Sequence, residues 1–117
     1  MGAASSQESE AAAADFVDRV TTENGVTVFS KSYCPYCDMA KGVLDEVGVK
    51  YHVVELDLKS DKPSGTEIQN ALANATGRRT VPNVFIKKQS IGGGTDVQTL
   101  FHFILLEKRL ESNSRIC

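Results

Sequence analysis

The 117-residue sequence is long enough for one compact domain with its own core and too short for two of ordinary size. Its 13 basic and 15 acidic residues leave a formal net charge of -2, so no chain-wide positive field exists to hold a nucleic acid. The hydrophobic fraction of 41% is ordinary, and no apolar run approaches the roughly 18 residues of a membrane span, so a soluble protein is expected. Three cysteines with no basic-then-apolar leader point to a reducing, cytoplasmic setting. There a close cysteine pair is more often catalytic or metal-binding than structural.

Residues 1–10 (MGAASSQESE) offer nothing to bury and are expected to form a mobile tail ahead of a domain spanning 11–111. Ala14, Phe16, Val17 and Val20 predict a first helix that stops before Asn24-Gly25. The β-branched and aromatic run Val26–Ser30 predicts a buried strand. Pro35 suits the first turn of a second helix, along which Met39, Ala40, Val43, Leu44 and Val47 recur at helical spacing until Gly48. Tyr51–Leu56 returns to strand composition, completing a strand–helix–strand unit whose strands should run parallel with a right-handed crossover. A polar connection over 59–65 leads to a third helix with Ile68, Leu72, Ala73 and Ala75 on one face, ending at Gly77. Val84–Ile91 reads as two short antiparallel strands around Lys87-Lys88-Gln89. After glycines 92–94, Thr95 is the expected cap of a last helix carrying Leu100, Phe101, Ile104, Leu105 and Leu110, and 112–117 should be a second flexible tail.

The chemistry concentrates where the first strand meets the second helix. A cysteine at a helix mouth faces unpaired backbone N–H groups and the positive end of the dipole, so Cys34 is placed to be a thiolate nucleophile. An offset of three brings Cys37 back over it as a resolving thiol, and Lys31 adds a nearby positive charge. A zinc site completed by His52 and His102 is the competing reading, but those histidines lie 50 positions apart, unlike the close-spaced second ligand pair of most structural zinc sites. No metal is therefore expected.

Cys34-Pro35-Tyr36-Cys37, followed by Thr80-Val81-Pro82 and then Gly92-Gly93 before Thr95-Asp96, resembles the dithiol glutaredoxin family over about Asp15–Leu110. The sister thioredoxins typically carry Trp-Cys-Gly-Pro-Cys, and this chain has no tryptophan. The resemblance implies an α/β, thioredoxin-like fold: a four-stranded mixed sheet flanked by helices, with a cis-proline at Pro82. It also implies glutathione as cosubstrate, with Cys34 and Cys37 reducing protein disulfides and glutathione mixed disulfides. Lys31, Gln69 and Arg79 would then meet the glycyl carboxylate. Val81, between Thr80 and Pro82, would pair its backbone with the cysteinyl moiety, and Tyr36 and Gly93 would flank the ligand. Thr95 and Asp96 would hold the γ-glutamyl end, an anion being welcome at a helix N-terminus.

Two departures stand out. Many dithiol members carry a cysteine directly after the glycine pair, where this chain has Gly94; its third thiol is Cys117. Members that assemble an iron–sulfur cluster tend to have Ser or Gly in place of Pro35, so cluster binding or delivery through Cys34 and glutathione is the alternative function rather than the main one. The expected form is a monomer acting on glutathionylated or disulfide-containing proteins. Its one membrane-related feature is Met1-Gly2-Ala3-Ala4-Ser5-Ser6, which fits an N-myristoylation pattern at Gly2.

Overall fold

The computed structural model describes the backbone of residues 2–116 and the side chains of residues 8–102, 104, 106 and 107. Helix α1 (Gly2–Glu23) leads into strand β1 (Val26–Ser30), helix α2 (Pro35–Val47), strand β2 (His52–Glu55) and helix α3 (Gly65–Thr76). Strands β3 (Asn83–Ile86) and β4 (Gln89–Gly92) and helix α4 (Gly94–Ile116) follow. The sheet order is β2-β1-β3-β4, with β1 and β2 parallel and the other two pairs antiparallel. It is the mixed four-stranded, helix-flanked sheet that the family resemblance implies.

Two apolar layers explain the sheet's position, because side chains alternate faces along a strand. Phe29 and Phe85 point to the layer built by Val17 and Val20 of α1 and Ile68 and Leu72 of α3. Their rings meet edge to face at 5.5 Å. Val26, Val28 and Val84 point the other way, to Ala40, Val43, Leu44 and Val47 of α2 and Val97 and Phe101 of α4. With helices on both faces, β1 is buried at every position, which is why it reads as a continuous apolar run.

The terminal helices are longer than the sequence pattern predicts. α1 starts at Gly2 instead of residue 11, and α4 runs to Ile116 instead of stopping near 111. Ala, Gln and Glu dominate residues 3–14 and are good helix formers, and adding a residue to an existing helix is far easier than nucleating one. Cys117 lies outside the described residues. The peptide bonds before Pro63 and Pro82 are both cis.

Ser64 caps α3 through a complete capping box: its hydroxyl accepts the Glu67 N–H at 3.2 Å, and the Glu67 carboxylate accepts the Ser64 N–H at 2.8 Å. Gly65 follows because the helix start is pressed against the end of β2, where a Cβ at position 65 would collide with the Leu56 carbonyl oxygen. Gly65→Ala should therefore lower the urea midpoint by an amount equivalent to roughly 1–3 kcal/mol, the usual penalty of overpacking against backbone that cannot yield. An unchanged midpoint would show that α3 docks more loosely than this contact implies.

Candidate active site

Cys34 is the N-cap of α2, with extended backbone angles (φ -101°, ψ 114°) and Pro35 as the next residue. Its Sγ accepts the Cys37 N–H at 3.2 Å, so the reactive sulfur takes the place of the carbonyl that a first-turn amide lacks. That donor and the positive end of the helix dipole both face the Cys34 sulfur. The loop that presents Cys34 is pinned from the turn that follows β2. The Asp57 carboxylate accepts the Ser32 N–H at 3.0 Å and the Ser32 hydroxyl at 2.5 Å. These two bonds, with the nearby Lys31 charge, hold the Asp57 carboxyl below its ordinary range. Asp57 was not singled out in the sequence. The signal that locates it is register: Ser30 pairs with Glu55 in the parallel β1–β2 ladder, so Ser32 and Asp57, two residues further on, come together.

Cys34 is half-buried, whereas Cys37 is completely buried. Burial is the main reason the Cys37 thiol is pushed up to about 11; its hydrogen bond to Cys34 and the Cys34 charge add to the shift, against opposing bonds from Ser30 and the Lys31 backbone. The pair is thus asymmetric, with one sulfur accessible and the other held as a neutral thiol behind it.

Beside Cys34 opens a groove of about 500 Å³. Lys31, Tyr33, Cys34 and Pro35 form one wall, and Gln69, Arg79, Thr80 and Val81 the other. The Cys34 thiol lies 3.9 Å from the Val81 carbonyl oxygen. The far wall is fastened to α3: the Gln69 amide donates to the Arg79 carbonyl at 3.1 Å, and Arg79 Nε donates to Asn70 Oδ1 at 3.3 Å. A nucleophilic sulfur, two cationic side chains and the Val81 main chain beside them suit a short extended peptide ending in a carboxylate.

Lys31, Cys34, Gln69, Arg79, Thr80 and Val81, widely spaced in sequence, therefore meet in one groove. Tyr36 does not line it; that side chain is 57% exposed on the first turn of α2, and Tyr33 stands in the groove wall instead. Pro82 is buried. Gly93, Thr95 and Asp96 lie at the start of α4, which abuts the cysteine helix: a Cβ at Gly94 would come within 2.7 Å of the Tyr36 carbonyl oxygen, and one at Gly93 within 3.5 Å of the Pro82 carbonyl oxygen. The cap of α4 is not Thr95. Gly93 fills that position, its carbonyl accepting the Val97 N–H at 3.0 Å while its own N–H goes to Asp96 Oδ2 at 2.8 Å. The tight approach to α2 starts the helix two residues earlier than a cap at Thr95 would. Arg78, also not singled out, pairs with Asp96 at 3.4 Å. Among the described residues no three His, Cys, Asp or Glu side chains gather as a metal site.

A half-exposed cysteine capping a helix, backed by a buried cysteine three residues on, at the end of a four-stranded mixed sheet, defines a dithiol oxidoreductase of thioredoxin-like fold. The glutaredoxin family model matches residues 26–91. A glutaredoxin of Ricinus communis is 60% identical over 74 residues, covering 63% of this chain and 70% of that protein. The chloroplastic glutaredoxin-C4 of Oryza sativa subsp. japonica is 47% identical over 88 residues, covering 75% of this chain and 64% of that one. Among solved structures, a buckwheat glutaredoxin–glutathione complex superposes with a TM-score of 0.77 at 39% identity, covering 90% of this chain and 93% of its own. Reduced glutaredoxin C1 of Populus tremula x tremuloides superposes with a TM-score of 0.78 at 44% identity, covering 86% and 84% respectively. The chain belongs to the glutaredoxin family.

Proposed function

We propose that the groove beside Cys34 binds the glutathione moiety of mixed disulfides and that the protein is a glutathione-dependent thiol–disulfide oxidoreductase. The observation that carries this reading is the meeting of Lys31, Gln69, Arg79 and the Val81 backbone beside a helix-capping thiol. A similar protein, from buckwheat, has been solved as a complex with glutathione.

In the mixed-disulfide cycle the Cys34 thiolate attacks the glutathione sulfur, the S–S bond breaks, and the protein sulfur leaves and takes a proton from solvent. Glutathione is now on Cys34. A second glutathione thiolate attacks that sulfur, returning Cys34 as thiolate and leaving as glutathione disulfide. For a protein disulfide, Cys34 attacks first and Cys37 then attacks Cys34, releasing the reduced protein and forming the Cys34–Cys37 disulfide. Two glutathiones reduce it and depart as glutathione disulfide. The similar proteins favour this reading over iron–sulfur cluster delivery.

A coupled glutathione reductase assay on a small glutathione mixed disulfide tests the groove. Lys31→Gln and Arg79→Ala should each raise KM about fivefold or more with little change in kcat, as expected where a charge-assisted contact to the ligand carboxylate is lost. Unchanged KM in both variants would mean that another surface binds glutathione. We further propose a cytoplasmic monomer whose domain spans residues 11–111 and whose Gly2, if acylated, gives only reversible membrane association.

A further inference from the structure

We propose that the Ser30 hydroxyl serves the closing of the Cys34–Cys37 disulfide, donating to the Cys37 sulfur as that sulfur becomes a thiolate and attacks Cys34; this rests on the resolving role given to Cys37 above. Among the described residues, Thr21, Thr27, Ser30 and Asn83 are buried polar side chains. Three of them have structural partners. Thr21 donates to the Val17 carbonyl at 2.7 Å, Thr27 to the Val20 carbonyl at 3.5 Å, and Asn83 donates to Thr76 and accepts from Ser90. Ser30 donates instead to the carbonyl of its own chain neighbour, Lys31, at 3.2 Å, a bond that joins no two elements. Its backbone is already held, since its carbonyl accepts the Leu56 N–H at 2.8 Å. The fold has little use for this hydroxyl.

The strand decides where it points. Val26 and Val28 turn to the α2 layer, and residue 30 continues the same alternation, so its side chain lies under the first turn of α2. Cys37 is the buried residue of that turn. The hydroxyl bonds to its sulfur and works against the burial that keeps this thiol protonated. A hydroxyl has one donor and can turn about its Cβ–Oγ bond. With Cys37 neutral the donor rests on the Lys31 carbonyl; with Cys37 charged it swings to the sulfur, supplying a hydrogen bond where water has no access. The step itself is thiol–disulfide exchange. Cys37 gives its proton to solvent, its thiolate attacks Cys34 Sγ, the bond from Cys34 to the substrate sulfur breaks, and the departing thiolate is protonated by solvent.

The test separates the two thiols in time. Reduced enzyme in excess, with Cys117→Ser throughout so that only the pair reports, is mixed with a symmetrical aromatic disulfide whose released thiolate is coloured. One thiolate appears as Cys34 is loaded, and the second as Cys37 closes the disulfide, in a phase independent of enzyme concentration. Ser30→Ala should slow the second phase about tenfold or more, as expected for a lost hydrogen bond to a charged group, and change the first by less than about twofold. Ser30→Thr, which keeps the hydroxyl, should restore most of the second phase. A second phase unchanged in Ser30→Ala, two phases slowed alike, or a Ser30→Thr as slow as Ser30→Ala overturns the role of Ser30. A Cys37→Ser enzyme that keeps the concentration-independent phase overturns the resolving role of Cys37 itself.

Discussion

Cys34→Ser should lose at least about 1,000-fold in reductase activity on every substrate, whereas Cys37→Ser should keep substantial turnover of glutathione mixed disulfides and fail only on protein disulfides. The difference follows from geometry. Cys34 alone faces the groove, accepts the Cys37 N–H and sits 3.9 Å from the Val81 carbonyl oxygen, so no other described sulfur can reach a bound disulfide. Cys37 is buried behind it and acts only on a disulfide already attached to Cys34. The coupled assay on a small mixed disulfide and on a disulfide-bonded protein separates the two roles. Activity retained by Cys34→Ser on either substrate would overturn the assignment.

Alkylation of the folded, reduced protein at pH 8 should modify Cys34 and leave Cys37 almost untouched. A thiol at about 11 instead of the ordinary 9.0 carries about 100-fold less thiolate at that pH, and burial slows reagent access further. In urea the two cysteines should react at similar rates, and peptide-resolved mass spectrometry after timed quenching reads both. The same shift has a sign for stability. The folded chain holds the Cys37 proton through a range in which the unfolded chain releases it, so this group's contribution is complete below about pH 9 and falls as pH rises towards 11. A Cys37 that alkylates in the folded protein as fast as in urea would remove the asymmetry of the pair.

The secondary structure of the central elements was legible because local signals and tertiary demands agree there. Val26–Ser30 is apolar throughout because both sheet faces are covered, and Gly48 and Gly77 stop their helices with left-handed backbone at φ 84° and 78°. The two thiols were legible for the same reason, since their roles follow from a strand, a turn and a helix adjacent in sequence. What escaped was set by distance in the chain. Asp57 serves the cysteine loop only through the parallel register of β1 and β2, 25 residues away. Arg78 and Arg79 are neighbours in a run of two arginines, and nothing local says that one turns to α3 and the other to α4. Thr95 looks like a helix cap by residue type, but close packing of Gly94 on the Tyr36 carbonyl moves the cap to Gly93.

The Asp57–Ser32 tie divides labour between the two halves of the chain. Everything that makes Cys34 reactive, including its helix, Cys37, Lys31 and the carboxylate that pins the loop, lies between β1 and Asp57. Of the residues that shape what is presented to that sulfur, Gln69, Arg79, Thr80 and Val81 come after it, while Lys31 and Tyr33 come from the first stretch. Reactivity is thus written in the first stretch, and the far wall of the groove in the second. Exchanging the loop over residues 78–81 should retune which disulfides are accepted while the nucleophile stays as it is, so selectivity can drift through that loop without the chemistry being rebuilt.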